Sequence, residues 1–239
     1  MADTDSLKCL TMEQIQEAFD KTLNNFKEPG VRLVLITEKY EEVALKFARE
    51  HYIAQEPMNK GFGVTWTDDV EAFFKSAFKL RLSLMFLNER DDDPIAFRVT
   101  RIARYDDKSD IDDIKDQPLK ELFRCMDYCE QKTDFFGHFQ TKEAFHFIAL
   151  AVAPKYKQLG YGTKIVNVAI DMIRHFGFDP VYIKVEGSSN FSQKIFEKSG
   201  MEMLFELFFD DWEVKGRKII QNTGIHKSVR MYGMKLSTA

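Results

Sequence analysis

Apolar positions recur along this chain with two periods, one near 3.6 residues and one of 2, and their succession predicts an α/β fold. Residues 12–26 carry apolar side chains at helical spacing ahead of Pro29-Gly30, and Val31-Arg-Leu-Val-Leu-Ile36 then predicts a first strand. A helix over 42–51 leads to Glu56-Pro57. The apolar runs 82–87 and 95–100 flank an acidic stretch at 88–94, which has the length and turn composition of a hairpin. Residues 103–117 are dense in charge and predict a solvated loop. A helix over 119–130 follows, then an apolar strand over 144–152 and a helix with Ile165, Ala169, Met172 and Phe176 on one face. A strand over 181–185, a short helix over 192–199 and a closing antiparallel pair, 202–209 with 228–235, complete the pattern. No repeat, low-complexity tract or linker divides it. The expectation is a single domain over 1–239, with 1–29 as an N-terminal helical extension.

Composition narrows the picture. With 44% hydrophobic residues and 22 phenylalanines in 239 residues, the chain can bury a core with aromatic walls. A net charge of −4 supplies no general basic footprint, which argues against nucleic acid as a partner and leaves a cationic small molecule unrepelled. The three cysteines, Cys9, Cys125 and Cys129, form an odd set, and the polar N-terminus lacks an apolar h-region. No run approaches the roughly 20 apolar residues of a membrane span. A monomeric, cytoplasmic protein off the membrane is expected. Cys125, Cys129 and nearby His138 invite a zinc argument, but two small apolar thiols four apart on a helix are ordinary core, and no metal is expected.

The chemically suggestive stretch is Ala149-Leu-Ala-Val-Ala-Pro-Lys-Tyr-Lys-Gln-Leu-Gly-Tyr-Gly162, a strand that breaks at Pro154 into a glycine-bearing turn and then opens a helix. Gly160 and Gly162 let the backbone bend and let an anion approach its N–H groups, while the following helix N-terminus adds unpaired donors and a positive dipole end. The plainer reading, two glycines easing a strand-to-helix turn, is the commoner one for an isolated Gly-x-Gly. Neither the Walker spacing nor Gly-x-Gly-x-x-Gly is present.

Lys157-Gln158-Leu159-Gly160-Tyr161-Gly162 resembles the acetyl-CoA signature of the GCN5-related N-acetyltransferase superfamily, Arg/Gln-x-x-Gly-x-Gly/Ala, with Lys157 in the first place. Phe196-Glu-Lys198-Ser-Gly200-Met201 is similar to the superfamily's Tyr-x-Lys-x-Gly-Phe, with Phe196 where a tyrosine often protonates the departing thiolate. Closer still is the insect arylalkylamine N-acetyltransferase family. Gln55-Glu-Pro-Met-Asn59, the cradle, Ser188-Ser-Asn-Phe-Ser192 and, more weakly, Ile225-His226 resemble it in order. The resemblance implies a mixed, mostly antiparallel sheet with flanking helices on both faces and a V-shaped splay past residue 152. It also implies acetyl-CoA as cosubstrate, with the backbone of Leu150, Ala151 and Val152 free to pair with the pantetheine arm and an N–H near Ala151 or Val152 to polarise the thioester carbonyl.

Acetylating an amine needs the neutral amine, yet an alkylammonium resembles lysine, with a pKa of about 10.4, so a general base is required. Glu56 is the candidate: it sits before Pro57 after a helix, among apolar neighbours that would raise its pKa. The family's base falls at the same residue. Ser188 and Ser192, by spacing, read first as caps for a helix start. The resemblance adds roles in acetyl-CoA binding and thiolate handling, and it places His226 near the amine. The function implied is acetyl transfer to the primary amine of a small arylalkylamine or alkylamine. Alternatives are an agmatine- or polyamine-preferring enzyme, a peptide or lysine acetyltransferase, and a non-catalytic acetyl-CoA-binding paralogue.

Overall fold

The structure, a computed structural model, describes residues 6–107 and 111–237. In chain order it runs α1 (Met12–Asn25), β1 (Val31–Leu35), α2 (Glu41–Phe47), a π-helical segment (Ala48–Ile53), α3 (Pro57–Phe62), α4 (Asp68–Phe78), β2 (Leu84–Asn88) and β3 (Pro94–Arg104). Next come α5 (Gln117–Thr133), α6 (Phe135–Phe139), β4 (Glu143–Val152), α7 (Tyr161–Arg174), β5 (Val181–Gly187) and α8 (Asn190–Lys198). After β6 (Glu202–Phe208), a small hairpin of β7 (Glu213–Val214) and β8 (Arg217–Lys218) precedes β9 (Ser228–Leu236).

One sheet holds seven strands in the order β1-β2-β3-β4-β5-β9-β6. Neighbours are antiparallel except β4 and β5, which run parallel and are joined through α7, as a parallel pair requires a crossover. This is the mixed, mostly antiparallel sheet expected. Both of its faces are covered. Phe47, Met58, Phe74 and Leu122, from α2 to α5, pack on Phe97 and Val99, while Phe19, Ile165 and Phe196, from α1, α7 and α8, pack on Phe145, Phe147 and Ile183. Covered on two sides, Leu84, Met85, Phe86 and Leu87 of β2 are all buried instead of alternating.

Local chemistry sets the helix starts. Thr11 and Gln14 form a reciprocal capping box at α1, whose Ile15, Ala18 and Phe19 join the second core. The expected extension is thus packed against the sheet, although its residues 1–5 lie outside the described residues. Thr67 caps α4, with Asp68, Asp69 and Glu71 in the first turn; the sequence pattern had not signalled this helix. Two other boundaries differ from expectation. β3 runs on to Arg104 inside the segment taken for a loop, of which residues 108–110 lie outside the described residues. α8 begins at Asn190 because Ser189, not Ser192, is its N-cap.

The feature that shapes the site is a bulge. The β3–β4 register passes from Val99↔Ala149 to Thr100↔Phe147, leaving Ile148 opposite no residue. Phe145 and Phe147 therefore face one core, whereas Ala149 and Ala151 face the other. β4 pairs with β5 only from Phe145↔Ile183 to Phe147↔Val185, and beyond that the two strands part. The splay opens at Ile148, earlier than the point past residue 152 expected from sequence.

Candidate active site

Three chain segments meet at the open end of the gap. The π-helical segment and α3 supply Tyr52 and Glu56, β4 ends in the glycine turn, and β5 delivers Ser188 to the start of α8. Along β4, the N–H of Ala153 donates to the carbonyl of Ile95 at 2.9 Å, so alternation turns the backbone of Ala151 toward Phe97 in β3. The polar groups of Leu150 and Val152 then face the gap. Of the N–H groups of Ala151 and Val152, only that of Val152 faces the gap.

Glu56 is the N-cap of α3, accepting from the N–H groups of Met58 at 3.0 Å and Asn59 at 2.6 Å. The cap is not its only partner, because Ser188 Oγ also donates to Glu56 Oε1. Desolvation, the largest influence, raises the Glu56 pKa, while the bonds from Ser188, Asn59 and Met58 oppose it; the net direction is upward. Tyr52 lies beside it and its hydroxyl donates to the carbonyl of Ile148 at 3.2 Å, serving the bulge. Burial, then the Glu56 charge, raise the phenol's pKa, so Tyr52 remains a neutral donor. A π-helical turn presents this side chain, and no periodic signal in the sequence marks it.

His226 reaches the same corner. Its Nδ1 accepts from the N–H of Asn190, the first residue of α8, at 3.0 Å, which leaves the ring's proton on Nε2. Desolvation and then Lys60 lower its pKa, so the ring is held neutral. Ser192 instead completes the reciprocal cap of α8: its hydroxyl donates to the Ser189 carbonyl at 3.0 Å and accepts from the Ser189 N–H at 3.3 Å. The structure thus joins Glu56 to Ser188 directly, while His226 and Ser192 order the helix start that follows.

The glycine turn has the geometry of an anion cradle. Gln158 and Gly160 both have positive φ, +65° and +82°, and no side chain caps the N-terminus of α7. Gly162 answers a different need, since a Cβ there would lie 3.0 Å from Ile195 Cδ1 and 3.6 Å from Val152 Cγ2, where α7 approaches α8 and β4. Lys157, expected to offer its charge to phosphate, instead donates to Gln55 Oε1 at 2.5 Å and so ties the cradle to the segment carrying Glu56. Leu159 projects outward, exposed. Tyr161 lies edge-on to Tyr156 and Phe86, anchoring the first turn of α7.

A cluster around Glu186 and the buried Arg98, neither singled out in the sequence, line the sheet here. Glu130, His146 and Glu186 have ligand atoms within 4.8 Å of one another, but Lys184 bonds Glu130 and His146 Nε2 lies 2.8 Å from both oxygens of Glu186. These donors already serve an ion-pair network. Arg98 of β3 is 1% exposed, its guanidinium carbon 4.2 Å from the centroid of the Phe147 ring. Burial brings its pKa down to about 9. The two thiols Cys125 and Cys129 are buried core, with the Cys125 pKa raised by its bond to Cys129 and by burial.

A sheet parted between two parallel strands, with a cradle at the end of one and a buried carboxylate across the gap, defines the class. Residues 50–201, more than half the chain, match the Acetyltransferase (GNAT) family, and the chain belongs to it. Among solved structures, arylalkylamine N-acetyltransferase 2 from Aedes aegypti superposes with a TM-score of 0.79 at 20% identity, over 85% of this chain and 98% of that one. The polyamine N-acetyltransferase of Drosophila melanogaster, which forms N-acetylagmatine, gives 0.76 at 17% identity, over 86% and 100%. The C-terminal condensation domain of Ebony, in complex with β-alanyl-dopamine, gives 0.71 at 12% identity, over 86% and 99%. At these identities the likeness is one of fold. Among the described residues, no helix is long and apolar enough to cross a membrane.

Proposed function

We propose that this acetyltransferase moves an acetyl group from acetyl-CoA to the primary amine of a small arylalkylamine or alkylamine by direct attack, with Glu56 as general base. The observation that carries the reading is the Glu56 carboxylate, desolvated beside the gap and bonded to Ser188. A carboxylate with a raised pKa is a better proton acceptor than an ordinary one. The cradle fits the cosubstrate. Its positive-φ turn and the uncapped helix of α7 would take the pyrophosphate largely through backbone N–H groups. The open polar groups of Leu150 and Val152 would pair with the pantetheine amides as an added strand does. Bound this way, the thioester carbonyl would meet the Val152 N–H, and one such donor on a developing oxyanion commonly contributes about 3 kcal/mol.

The amine enters as an ammonium, and Glu56 removes one proton and passes it to water. The neutral nitrogen attacks the carbonyl carbon and gives its second proton to Glu56 as the C–S bond breaks, and no acyl-enzyme forms. Neutral His226, with its Nε2 proton outward, is a donor at the amine side. Glu130 and Glu186, half-buried near the gap, already have partners in Lys184 and His146, which favours an amine whose far end is apolar or aromatic over one with a second cation. Thiol release from acetyl-CoA, measured over a panel of amines with wild-type protein and Glu56→Ala, tests the reading. Turnover in the wild type and a loss of about 10²- to 10⁴-fold in the variant are expected. A variant of near-normal rate with an unaltered pH profile would remove Glu56 from the mechanism.

A further inference from the structure

The departing group of this reaction is a thiolate, and a thiolate leaving inside a desolvated gap needs a counter-charge or a proton. The two serine hydroxyls at the site are engaged elsewhere: Ser188 donates to Glu56 and Ser192 to the Ser189 carbonyl. Phe196, on the α8 wall, has no proton to give. Arg98 lies against that wall. Its guanidinium carbon sits 4.2 Å from the centroid of Phe147 and 5.9 Å from that of Phe196. Phe147 belongs to the last parallel pair before β4 and β5 separate, and Arg98 itself lies opposite Leu150, whose polar groups face the gap. The cation is therefore wedged at the vertex of the splay.

Nε and Nη2 of Arg98 are buried and have no hydrogen-bond partner. A guanidinium held among aromatic rings with two idle donors is costly to fold around and is poised for an anion. The carboxylate that acts on it, Glu186, comes from the opposite face of the sheet and is bound through both oxygens to His146.

We propose that Arg98 is a catalytic residue whose guanidinium receives the coenzyme A thiolate as it leaves, an inference that rests on acetyl-CoA occupying the gap. In the step concerned, Glu56 has already passed the ammonium proton to water; the amine nitrogen forms its bond to the carbonyl carbon and gives its second proton to the ionised Glu56. The C–S bond breaks with its electron pair going to sulfur, and the sulfur departs as a thiolate paired with Arg98. Arg98 keeps all its protons, and the thiolate takes one from water on release. Burial against the faces of Phe147 and Phe196 keeps water from the cation and makes the sulfur a strong partner for it.

Ultraviolet titration of the thiol of bound coenzyme A tests this without any amine. An alkyl thiol such as cysteine ionises near pH of about 8.5, and an adjacent guanidinium lowers that value. In wild type the bound thiol should ionise below the free one; in Arg98→Met it should ionise at or above it, with acetyl-CoA binding changed by no more than a few fold. Turnover of Arg98→Met should fall by about 10²-fold through kcat, on the scale of losing one aimed donor. Arg98→Lys, which keeps the charge, should recover part of the rate, and circular dichroism on both variants checks that they fold. Equal titration in wild type and Arg98→Met would overturn the role of Arg98 alone, as would tighter acetyl-CoA binding with faster turnover in the variant, the mark of a side chain that plugs the gap. Failure of the wild type to bind acetyl-CoA would overturn this inference together with the reading beneath it.

Discussion

Ser188 donates its hydroxyl proton to Oε1 of Glu56, a contact between residues 132 apart in the chain. It fastens the end of β5 to the start of α3 across the mouth of the gap. The bond also acts on the titration of the carboxylate, because it favours the ionised form while burial favours the neutral one. Ser188→Ala removes the opposing influence. The acid limb of the pH–rate profile should move to higher pH, with kcat/KM lowered about tenfold below that limb and nearly recovered above it, since a hydrogen bond to a charged group is worth about 1.5–3 kcal/mol. A uniform loss at every pH would instead mean that the hydroxyl positions substrate.

Glu56 should also leave a signature in stability. Its folded pKa is raised above the unfolded value of about 4.3. The fold therefore holds the proton more tightly than the unfolded chain does. Its contribution to stability is fully present below the unfolded pKa and is lost as pH rises through the folded one. Glu56→Gln escapes this loss. The Tm of Glu56→Gln minus that of wild type should grow more positive from pH 4 to 7, even as activity disappears. A difference that shrinks over that range would show the carboxylate to be favourably paired when ionised.

The cradle was legible in sequence because its chemistry is local: a proline break, two glycines and a helix start within a dozen residues. Arg98 was not. Reading Ile95, Phe97 and Val99 as the inward face of an alternating strand sends Arg98 and Thr100 to solvent, yet α7 and α8 cover that second face and bury both. Alternation reports burial only where one face is wet. The early opening of the splay depends on the unpaired Ile148, and Tyr52 reaches its carbonyl from a π-helical turn. Both are settled by partners far away in the chain, which no window of residues contains.

Within the cradle the two glycines should fail differently. Gly160 has φ +82° with open space around it, so Gly160→Val meets backbone strain of about 1–2 kcal/mol and sets a branched side chain over the N–H groups. Calorimetry should find acetyl-CoA binding abolished in a protein that still folds. Gly162→Ala brings a Cβ to 3.0 Å from the flexible end of Ile195, a contact that Ile195 can relieve, and should weaken binding less. Lys157→Ala should cost only a few fold, because its ammonium is bonded to Gln55 and backbone supplies most of the grip. Normal affinity in Gly160→Val would remove the cradle from the cosubstrate site.

Substrate class can be argued from what the walls of the gap offer. On the side covered by α2 to α5, the half-buried rings of Tyr52 and Phe73 rest on the core rings Phe74 and Phe97, so that this face offers rings and little charge. Such surroundings accept apolar and aromatic groups and discriminate weakly among them, since one methylene changes binding by only about 1–3 kcal/mol. A guanidinium or a second ammonium demands more, a carboxylate free to meet it. Near the gap, Glu186 is bound through both oxygens to His146 and Glu130 is bonded to Lys184. Recruiting either would break an existing pair and leave Lys184 or His146 without its carboxylate, and removing one partner of a shielded pair is the expensive direction. Comparing kcat/KM for tyramine, tryptamine, agmatine and spermidine should therefore place the two arylalkylamines ahead, within about tenfold of each other. A preference for agmatine above about a hundredfold, nearly 3 kcal/mol, would exceed what ring contacts supply to that cation and would mean that one of these carboxylates turns to meet it. Glu186→Gln would then separate the cases, lowering agmatine turnover selectively if Glu186 is the partner and affecting all four amines alike if it only supports His146.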